Sequence, residues 1–549
     1  MKELYLKFLN ELKLLGYDVD DYIQKIENLE LLVPVVGEFN AGKSSAINLF
    51  LEKEVLPVGI TPETSLATEL RYSEDEYIEA IKEDGIEVFE IEDMQKIKER
   101  AKEFEYLRVF LNNKKLKSIE PFILVDMPGF DSPIELHNKA ILNYLARGVY
   151  FIVLMSVEKG NISKRLYKEL DLISEFRDFS FCLSKTNLKS KEGIEEIKEY
   201  VSKQLEDFDY DKEIYFLDNT KDSLNEIVKS IDIDKIYQNL FSLDLEELYF
   251  RIESEINTKI ATLKSTKDEA KDVIKKLNQS IEELKNKKEK MIENLKDKNY
   301  INIENIINKV INEILKQEEF LIELALKKQG FEEEINDILR NVLLIELRKS
   351  FERVSSDIIK DFRLELRGIE FEGFMIDENW IEKISTSTEI FVKNALNGLE
   401  VIKEKLEGKS SKVYKAIASI LTITTNVLNP IIEIILVFLP DILNMIFKSK
   451  QEELARAKLK EAIHTQIIPK IRLNLQRVLP DIVNKETENI INAVSDKFER
   501  EIESKKIEIE EILKEKEEKI DKIEEEIDKL QIKKDKLIKI GNLIFREKK

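Results

Sequence analysis

"VVGEFNAGKSSAINLF", residues 35–50, is an apolar run that breaks at Gly37, crosses a short polar loop and enters a helical pattern through Gly42, Lys43 and Ser44. These four residues satisfy the spacing G-x-x-x-x-G-K-[ST], directly after a strand-like segment and directly before a helix-like one, the context that gives the spacing its meaning. In such a loop backbone N–H groups wrap a β-phosphate, the helix start adds partial positive charge, the lysine reaches the β- and γ-oxygens, and the serine hydroxyl ligates Mg²⁺. Asn40, Ala41 and Ser45 belong to the same loop and helix start and complete the candidate phosphate contacts. A chance match explains neither flank.

The other parts of a triphosphate site follow in order. "FILVDMPGF" ends a strand in Asp126-Met127-Pro128-Gly129, a D-x-x-G pattern whose aspartate supports the metal and whose glycine N–H faces the γ-phosphate. "VLPVGITPETSLATEL" lies between the first helix and the next strand, where a threonine hydroxyl can be placed on the metal; Thr61, Thr64 and Ser65 are all candidates. "CLSKTN" occupies the place of the guanine-reading motif N/T-K-x-D, with Ser184, Lys185, Thr186 and Asn187 in its four slots.

Composition bounds the rest. The chain has 549 residues, too many for one core, so at least two domains are expected. Its formal charge of -21, from 109 acidic and 88 basic residues, opposes a polyanion at long range, and no basic stretch suggests a nucleic-acid groove. One cysteine, Cys182, excludes an internal disulfide and reads as a core residue in "FSFCLS". Two histidines, His137 and His464, cannot build a zinc site with it, which leaves a metalloenzyme of that type aside. The charged N-terminus "MKELYLKFLNELKLLGYDVD" lacks the apolar core of a signal peptide, and the expected location is the cytoplasm.

Between residues 31 and 218, short apolar runs alternate with charged helical stretches, among them 43–52, 134–146, 162–175 and 189–205. The pattern predicts an α/β domain built on a mainly parallel sheet flanked by helices. Six of the ten prolines lie between Pro34 and Pro133 and none between there and Pro430, so the later chain can run in long helices. One apolar stripe passes through Ile274, Leu277, Ile281, Leu284, Met291 and Leu295, interrupted by Lys288 at position 288. A second passes through Leu513, Ile520, Ile523, Ile527, Leu530 and Leu537. The two stripes can zip against each other antiparallel or against other helices of one elongated bundle.

The combination of "GEFNAGKSS", "VLPVGITPET" and "VDMPGF" with a long helical remainder resembles the dynamin-like large GTPases, in particular bacterial dynamin-like proteins. The motifs that carry the resemblance cover residues 33–187; the helical remainder matches only in architecture. What it implies is a P-loop GTPase domain at 31–240, with residues 1–30 packing on the neck. A long all-α neck and trunk would ascend through 241–410, reach an apolar tip at 411–450 and return through 451–549. It implies GTP and Mg²⁺ as ligands, with Lys43, Thr64 and Asn40 in catalytic roles. Ser44, Thr64 and Asp126 would serve the metal, and Gly37, Asn40, Ala41, Gly42, Lys43, Ser44, Ser45, Asp126, Gly129, Ser184, Lys185 and Asn187 the nucleotide. Thr64 is the first choice for the metal-facing hydroxyl and Thr61 the second. It further implies head-to-head dimers or oligomers through the GTPase domain, contact with membrane lipid through 411–450 at the inner face of the cell membrane, and a second dynamin-like protein as partner.

Two departures qualify that expectation. Asn187 stands where a carboxylate accepts from guanine, which weakens charge-assisted pairing by about 1.5–3 kcal/mol per bond. Phe130 and Phe39 stand where related enzymes place a water-orienting glutamine, and neither ring can orient water. Asn40 either helps bind K⁺ or Na⁺ beside the phosphates or only shapes the loop. Turnover is therefore expected to be slow until two nucleotide domains meet.

The most apolar stretch is "YKAIASILTITTNVLNPIIEIILVFLPDILNMIF", residues 414–447. Its longest uncharged run, 416–432, has 17 residues and contains Pro430, short of the roughly 20 that a simple span wants. A lipid-inserting tip of two short helices, a buried pair in the bundle core and a true span are the three readings, in that order.

Overall fold

The computed structural model describes residues 1–57, 66–82, 85–129, 134–218, 224–295, 301–327, 330–367, 380–396, 452–518 and 523–545. The chain divides into two compact units, Asn28–Ile233 and Met1–Glu27 together with Asp234–Lys549. The apolar segment 414–447, Thr61, Thr64, Ser65 and Phe130 lie outside the described residues.

Helices α1 (Lys2–Leu14) and α2 (Asp20–Glu27) open the chain and belong to the second unit. The first unit begins with β1 (Leu31–Gly37), buried at every position, as its continuous apolar run requires of a strand covered on both faces. In chain order there follow α3 (Lys43–Leu51), β2 (Thr68–Tyr72), β3 (Tyr77–Lys82), β4 (Gly85–Phe89), α4 (Met94–Glu99), β5 (Tyr106–Leu111), α5 (Lys114–Ser118), β6 (Phe122–Asp126), α6 (Ile134–Arg147), β7 (Tyr150–Ser156), α7 (Lys164–Phe176), β8 (Asp178–Ser184), α8 (Lys191–Leu205), β9 (Tyr215–Leu217) and α9 (Leu224–Ser230). The nine strands form one sheet in the order β4-β3-β5-β2-β6-β1-β7-β8-β9. Five pairings are parallel; β2 with β6, β3 with β4 and β3 with β5 are antiparallel. The mainly parallel sheet flanked by helices is as expected, but the β3–β4 hairpin at one edge was not anticipated. Glu79 and Lys82 interrupt β3 and Glu87 interrupts β4, and Ile86 and Val88 of the edge strand stay exposed, so the hairpin lacks the apolar run that marks a buried strand.

β1 sits between β6 and β7, which puts the loop after Gly37 at the sheet's carboxyl end, where α/β sheets bind ligands. A buried charge cluster braces the β2 side. Glu69 of β2 is fully buried, accepts from the hydroxyl of Tyr144 at 3.1 Å, pairs with Arg71 at 2.8 Å, and also pairs with Arg147 at the end of α6.

The second unit is all helix among its described residues. α10 (Ile233–Lys264), α11 (Lys267–Glu293), α12 (Ile303–Lys316), α13 (Glu318–Lys327), α14 (Phe331–Arg367) and α15 (Trp380–Leu396) are followed by helices Glu452–Ala462, Ile468–Glu518 and Ile523–Phe545. Thr266 opens α11 with a reciprocal capping box to Glu269. A π turn at Ile463–Ile467 joins two of the later helices just before Pro469, whose ring would otherwise meet the preceding turn.

Of the two arrangements open to the apolar stripes, the bundle arrangement is found. α11 packs against Ile468–Glu518, and among the described residues it makes no extensive contact with Ile523–Phe545, the helix that carries the later members of the second stripe. Leu277, Leu284 and Met291 are buried there with Val494, Phe498 and Ile502, each such side chain contributing about 1.5–3 kcal/mol. Lys288, which interrupts the stripe, pairs with Asp496 at 3.2 Å, and Lys516 donates to carbonyl oxygens of Leu263 and Ser265 just before α11. These pairings make the two helices antiparallel. Val273 is buried where Ile274 was expected to be, and of the second stripe's described members only Leu537 is buried. Helix Ile523–Phe545 instead meets α1, with Phe8 edge-on to Phe545 at 6.1 Å. A stripe specifies a face to be covered; it does not name the helix that covers it.

Candidate functional site

The phosphate loop is held from several sides. Gly37 has φ +156°, and a Cβ there would come within 2.4 Å of the Leu154 carbonyl oxygen of β7, so only glycine fits. Gly42 takes φ +86° as the residue before α3. Asn40 is exposed with φ +62°, a conformation asparagine tolerates better than most residues, which fits a loop-shaping role. Ala41 is buried, and its carbonyl oxygen accepts from the Ser184 hydroxyl at 2.6 Å. That hydroxyl also lies 3.2 Å from the Met155 carbonyl oxygen. Ser184 thus ties the end of β8 to the loop, and its proton is committed to backbone.

The Lys43 side chain is buried, and its ammonium donates to the carbonyl oxygens of Gly37 at 3.0 Å and Glu38 at 3.1 Å. The Ser44 hydroxyl donates to Asp126 Oδ2 at 2.7 Å. Asp126 Oδ1 is buried without a hydrogen-bond partner. Burial pushes the Asp126 carboxyl above its ordinary range, against the pull of the Ser44 hydroxyl and the Lys43 charge. A buried, orphaned carboxylate oxygen next to a serine hydroxyl is the donor set that suits a magnesium ion completed by phosphate and water oxygens. Among the described residues no group of three or more His, Cys, Asp or Glu could hold a metal.

Gly129 closes the other wall: a Cβ would lie 3.1 Å from the Phe39 Cα and 3.4 Å from Lys43 Nζ. Phe39, Asn40, Gly42, Lys43, Ser44, Ser45, Asp126, Gly129 and Lys185 line one cavity of about 350 Å³. Its far side is formed by Leu56, Pro57, Leu66, Thr68 and Leu107, with Met94, Ile97 and Lys98 of α4.

The base end is less complete. Lys185 has φ +57° and pairs with Glu158 at 2.7 Å, a contact that, with the Ser156 hydroxyl, holds the Glu158 carboxyl below its usual range. Asn187 sits exposed in the short turn Thr186–Leu188 and does not line the cavity.

Two supports were not evident in the sequence. Buried Glu38 accepts from Ser163 at 2.5 Å, and Ser163 also caps α7 by accepting from the Leu166 N–H at 3.1 Å. Asn48 accepts from the N–H groups of Val55 and Leu56 and donates to the Leu56 carbonyl oxygen at 2.7 Å, fixing the segment that leads to residue 58. A polar residue inside an otherwise apolar helix, as Asn48 is in "AINLFL", was the one available signal.

Residues 33–175 match the family model described as the Dynamin family. Over 129 residues the chain is 30% identical to Dynamin-like protein 2 of Campylobacter jejuni, covering 22% of this chain and 19% of that one. Over 231 residues it is 25% identical to Dynamin-like protein 1 of the same organism, covering 33% and 31%. An uncharacterized protein of Caldicellulosiruptor is 26% identical over 198 residues, covering 34% and 47%. The chain thus spans less than half the length of these curated relatives. A solved structure described as "An oligomerised bacterial dynamin pair provides a mechanism for the long range sensing and tethering of membranes" aligns over 99% of this chain and 82% of its own, with 15% identity and a TM-score of 0.38.

Proposed function

This chain is a dynamin-like protein carrying a dynamin-family domain at residues 33–175, and from that premise we propose that it binds GTP with Mg²⁺ and hydrolyses it. The observation that carries the reading is the convergence of the Lys43 ammonium, the Ser44 hydroxyl and the orphaned Asp126 Oδ1 on one cavity. With nucleotide bound, Lys43 exchanges its loop carbonyls for phosphate oxygens, and the loop N–H groups and the start of α3 cradle the β-phosphate. Ser44 and Asp126 would hold Mg²⁺, which would neutralise phosphate charge; Thr64 remains the proposed further hydroxyl. Gly129, close to Phe39 and Lys43, would offer its N–H to the γ-phosphate. Asn40 is the candidate contact for K⁺ or Na⁺ at the loop.

Phe39 lines the cavity and offers no hydrogen bond to an attacking water. We therefore assign slow turnover to the lone molecule and faster turnover to pairs formed through the nucleotide domain. Coupling to membrane lipid through 411–450, at the inner face of the cell membrane and with a second dynamin-like protein as partner, belongs to the same proposal. Among the described residues no helix is long and apolar enough to cross a membrane. Phosphate release measured against protein concentration, with and without liposomes, tests it. Specific activity should rise with concentration, and a flat profile in both series would count against domain pairing. Flotation of wild type but not of Leu436→Asp would support lipid contact.

The exposed position of Asn187, away from the cavity lining, favours a second reading. In it the head is a nucleotide switch with blunted guanine preference and little turnover, acting through its helices on a protein partner. Single-turnover assays that show binding without phosphate release would select it.

A further inference from the structure

α4 carries two lysines with different surroundings. Lys96 is 73% exposed and pairs with Asp93 at 2.6 Å. Lys98 lines the nucleotide cavity with Met94 and Ile97, and Ile97, 1% exposed, pins that face of the helix inward. Neighbouring cations are paired: Lys82 and Arg100 both hold Glu87, and Arg100 also holds Glu103. Lys98 makes no such pair among the described residues, although the chain carries 109 acidic residues. A lysine that lines a cavity without an acidic partner among the described residues, in so acidic a chain, is a place suited to an anion.

The strand register says which end of the nucleotide would meet it. Thr68 is the register partner of both Asp126 and Leu107, so Asp126, Thr68 and Leu107 form one row across β6, β2 and β5. α4 leads into β5 close to Leu107, about 10 Å or two strand spacings from Asp126. Lys98 therefore approaches from the metal side, opposite Lys185 at the base end. Negative charge on the terminal phosphate and its developing leaving group is what remains to be compensated there, where Phe39 contributes none.

We propose that Lys98 is a second cationic ligand of the terminal phosphate of the bound nucleoside triphosphate, acting beside Lys43. The proposal rests on the reading of residues 37–44 as a triphosphate site. Its test is calorimetric titration of the full chain with GDP and with a non-hydrolysable GTP analogue, in Mg²⁺, for wild type, Lys98→Ala, Lys98→Arg and Lys96→Ala. Lys98→Ala should lower affinity for the triphosphate about tenfold, the smaller value expected for one charge-assisted bond, and leave GDP affinity within about twofold. Lys98→Arg should retain most of the triphosphate preference, and Lys96→Ala should behave as wild type. Equal losses for GDP and triphosphate, no loss at all, or the same loss in Lys96→Ala would overturn the assignment. Wild type that binds neither nucleotide would bring down the triphosphate site itself, an outcome distinct from these.

Discussion

Replacing Glu69 by alanine removes the acid at the centre of the buried cluster that joins β2 to α6. Glu69 is 0% exposed, and the Arg147 side chain it pairs with is 8% exposed. Arg71 keeps Glu30 at 2.7 Å after the substitution, but among the described residues Arg147 is left with no carboxylate, only Asn143 at 3.5 Å and the faces of Tyr106 and Tyr144. Breaking a buried pair in this way costs about 3–5 kcal/mol, because one charge stays buried without its partner. At about 2–4 °C per kcal/mol for a domain of this size, the melting temperature of the nucleotide unit should fall by about 6–20 °C. Differential scanning calorimetry of the full chain reads this directly. The transition that rises on adding GTP and Mg²⁺ belongs to the nucleotide unit, since ligand stabilises only the folded form that binds it. That transition should drop in Glu69→Ala while the helical transition stays in place. The double variant Glu69→Leu with Arg147→Met, which removes both charges, should recover most of the loss. A Glu69→Ala protein whose nucleotide-sensitive transition moves by less than about 2 °C would refute the reasoning.

Ser44→Ala should lower the affinity for GTP about tenfold in Mg²⁺ and change little in EDTA, as measured by fluorescent-nucleotide titration. Cys182 is fully buried and burial pushes its thiol well above the usual range, so a thiol reagent should label it only on unfolding; fast labelling of the native protein would contradict the placement. Glu508 in the helical unit is pushed up to about 7 by burial, which outweighs Lys505 at 2.7 Å and is reinforced by Glu255 and Glu511. The folded state therefore holds a proton that the unfolded chain releases near pH 4.3, and this group's contribution to stability falls as pH rises from there to about 7. Glu508→Gln should flatten that part of the helical unit's stability profile in thermal melts across pH, and an unchanged slope would show that Glu508 does not titrate there.

The parts of the site that are contiguous in sequence were legible from it. Gly37 to Ser44 form one loop whose spacing is the chemistry, and Asp126 to Gly129 close a strand whose apolar run is unmistakable. What escaped was the set of contacts between distant residues: Ser184 to Ala41, Glu38 to Ser163, and Glu69 to Arg147. No local pattern announces that a hydroxyl will meet a particular carbonyl far along the chain. Charged residues also mislead in a consistent direction. Glu69 and Arg147 belong to residue types that are mostly solvated yet are buried together, and the charges of the β3–β4 hairpin hid two strands. Lys288 looked like a flaw in an apolar stripe and proved to be half of an ion pair to Asp496. The Ser184 slot shows a further limit: the motif located the residue, and only the fold showed that its hydroxyl faces the loop backbone.

The central claim is that residues 37–44 grip a magnesium-chelated triphosphate. Isothermal calorimetry of the full chain with GTP and Mg²⁺ tests it most directly. The account requires saturable binding of one nucleotide per chain, lost or weakened at least tenfold in Lys43→Ala, about the effect of removing one buried charge-assisted contact. No heat of binding with any purine triphosphate, or binding that Lys43→Ala leaves intact, would contradict it.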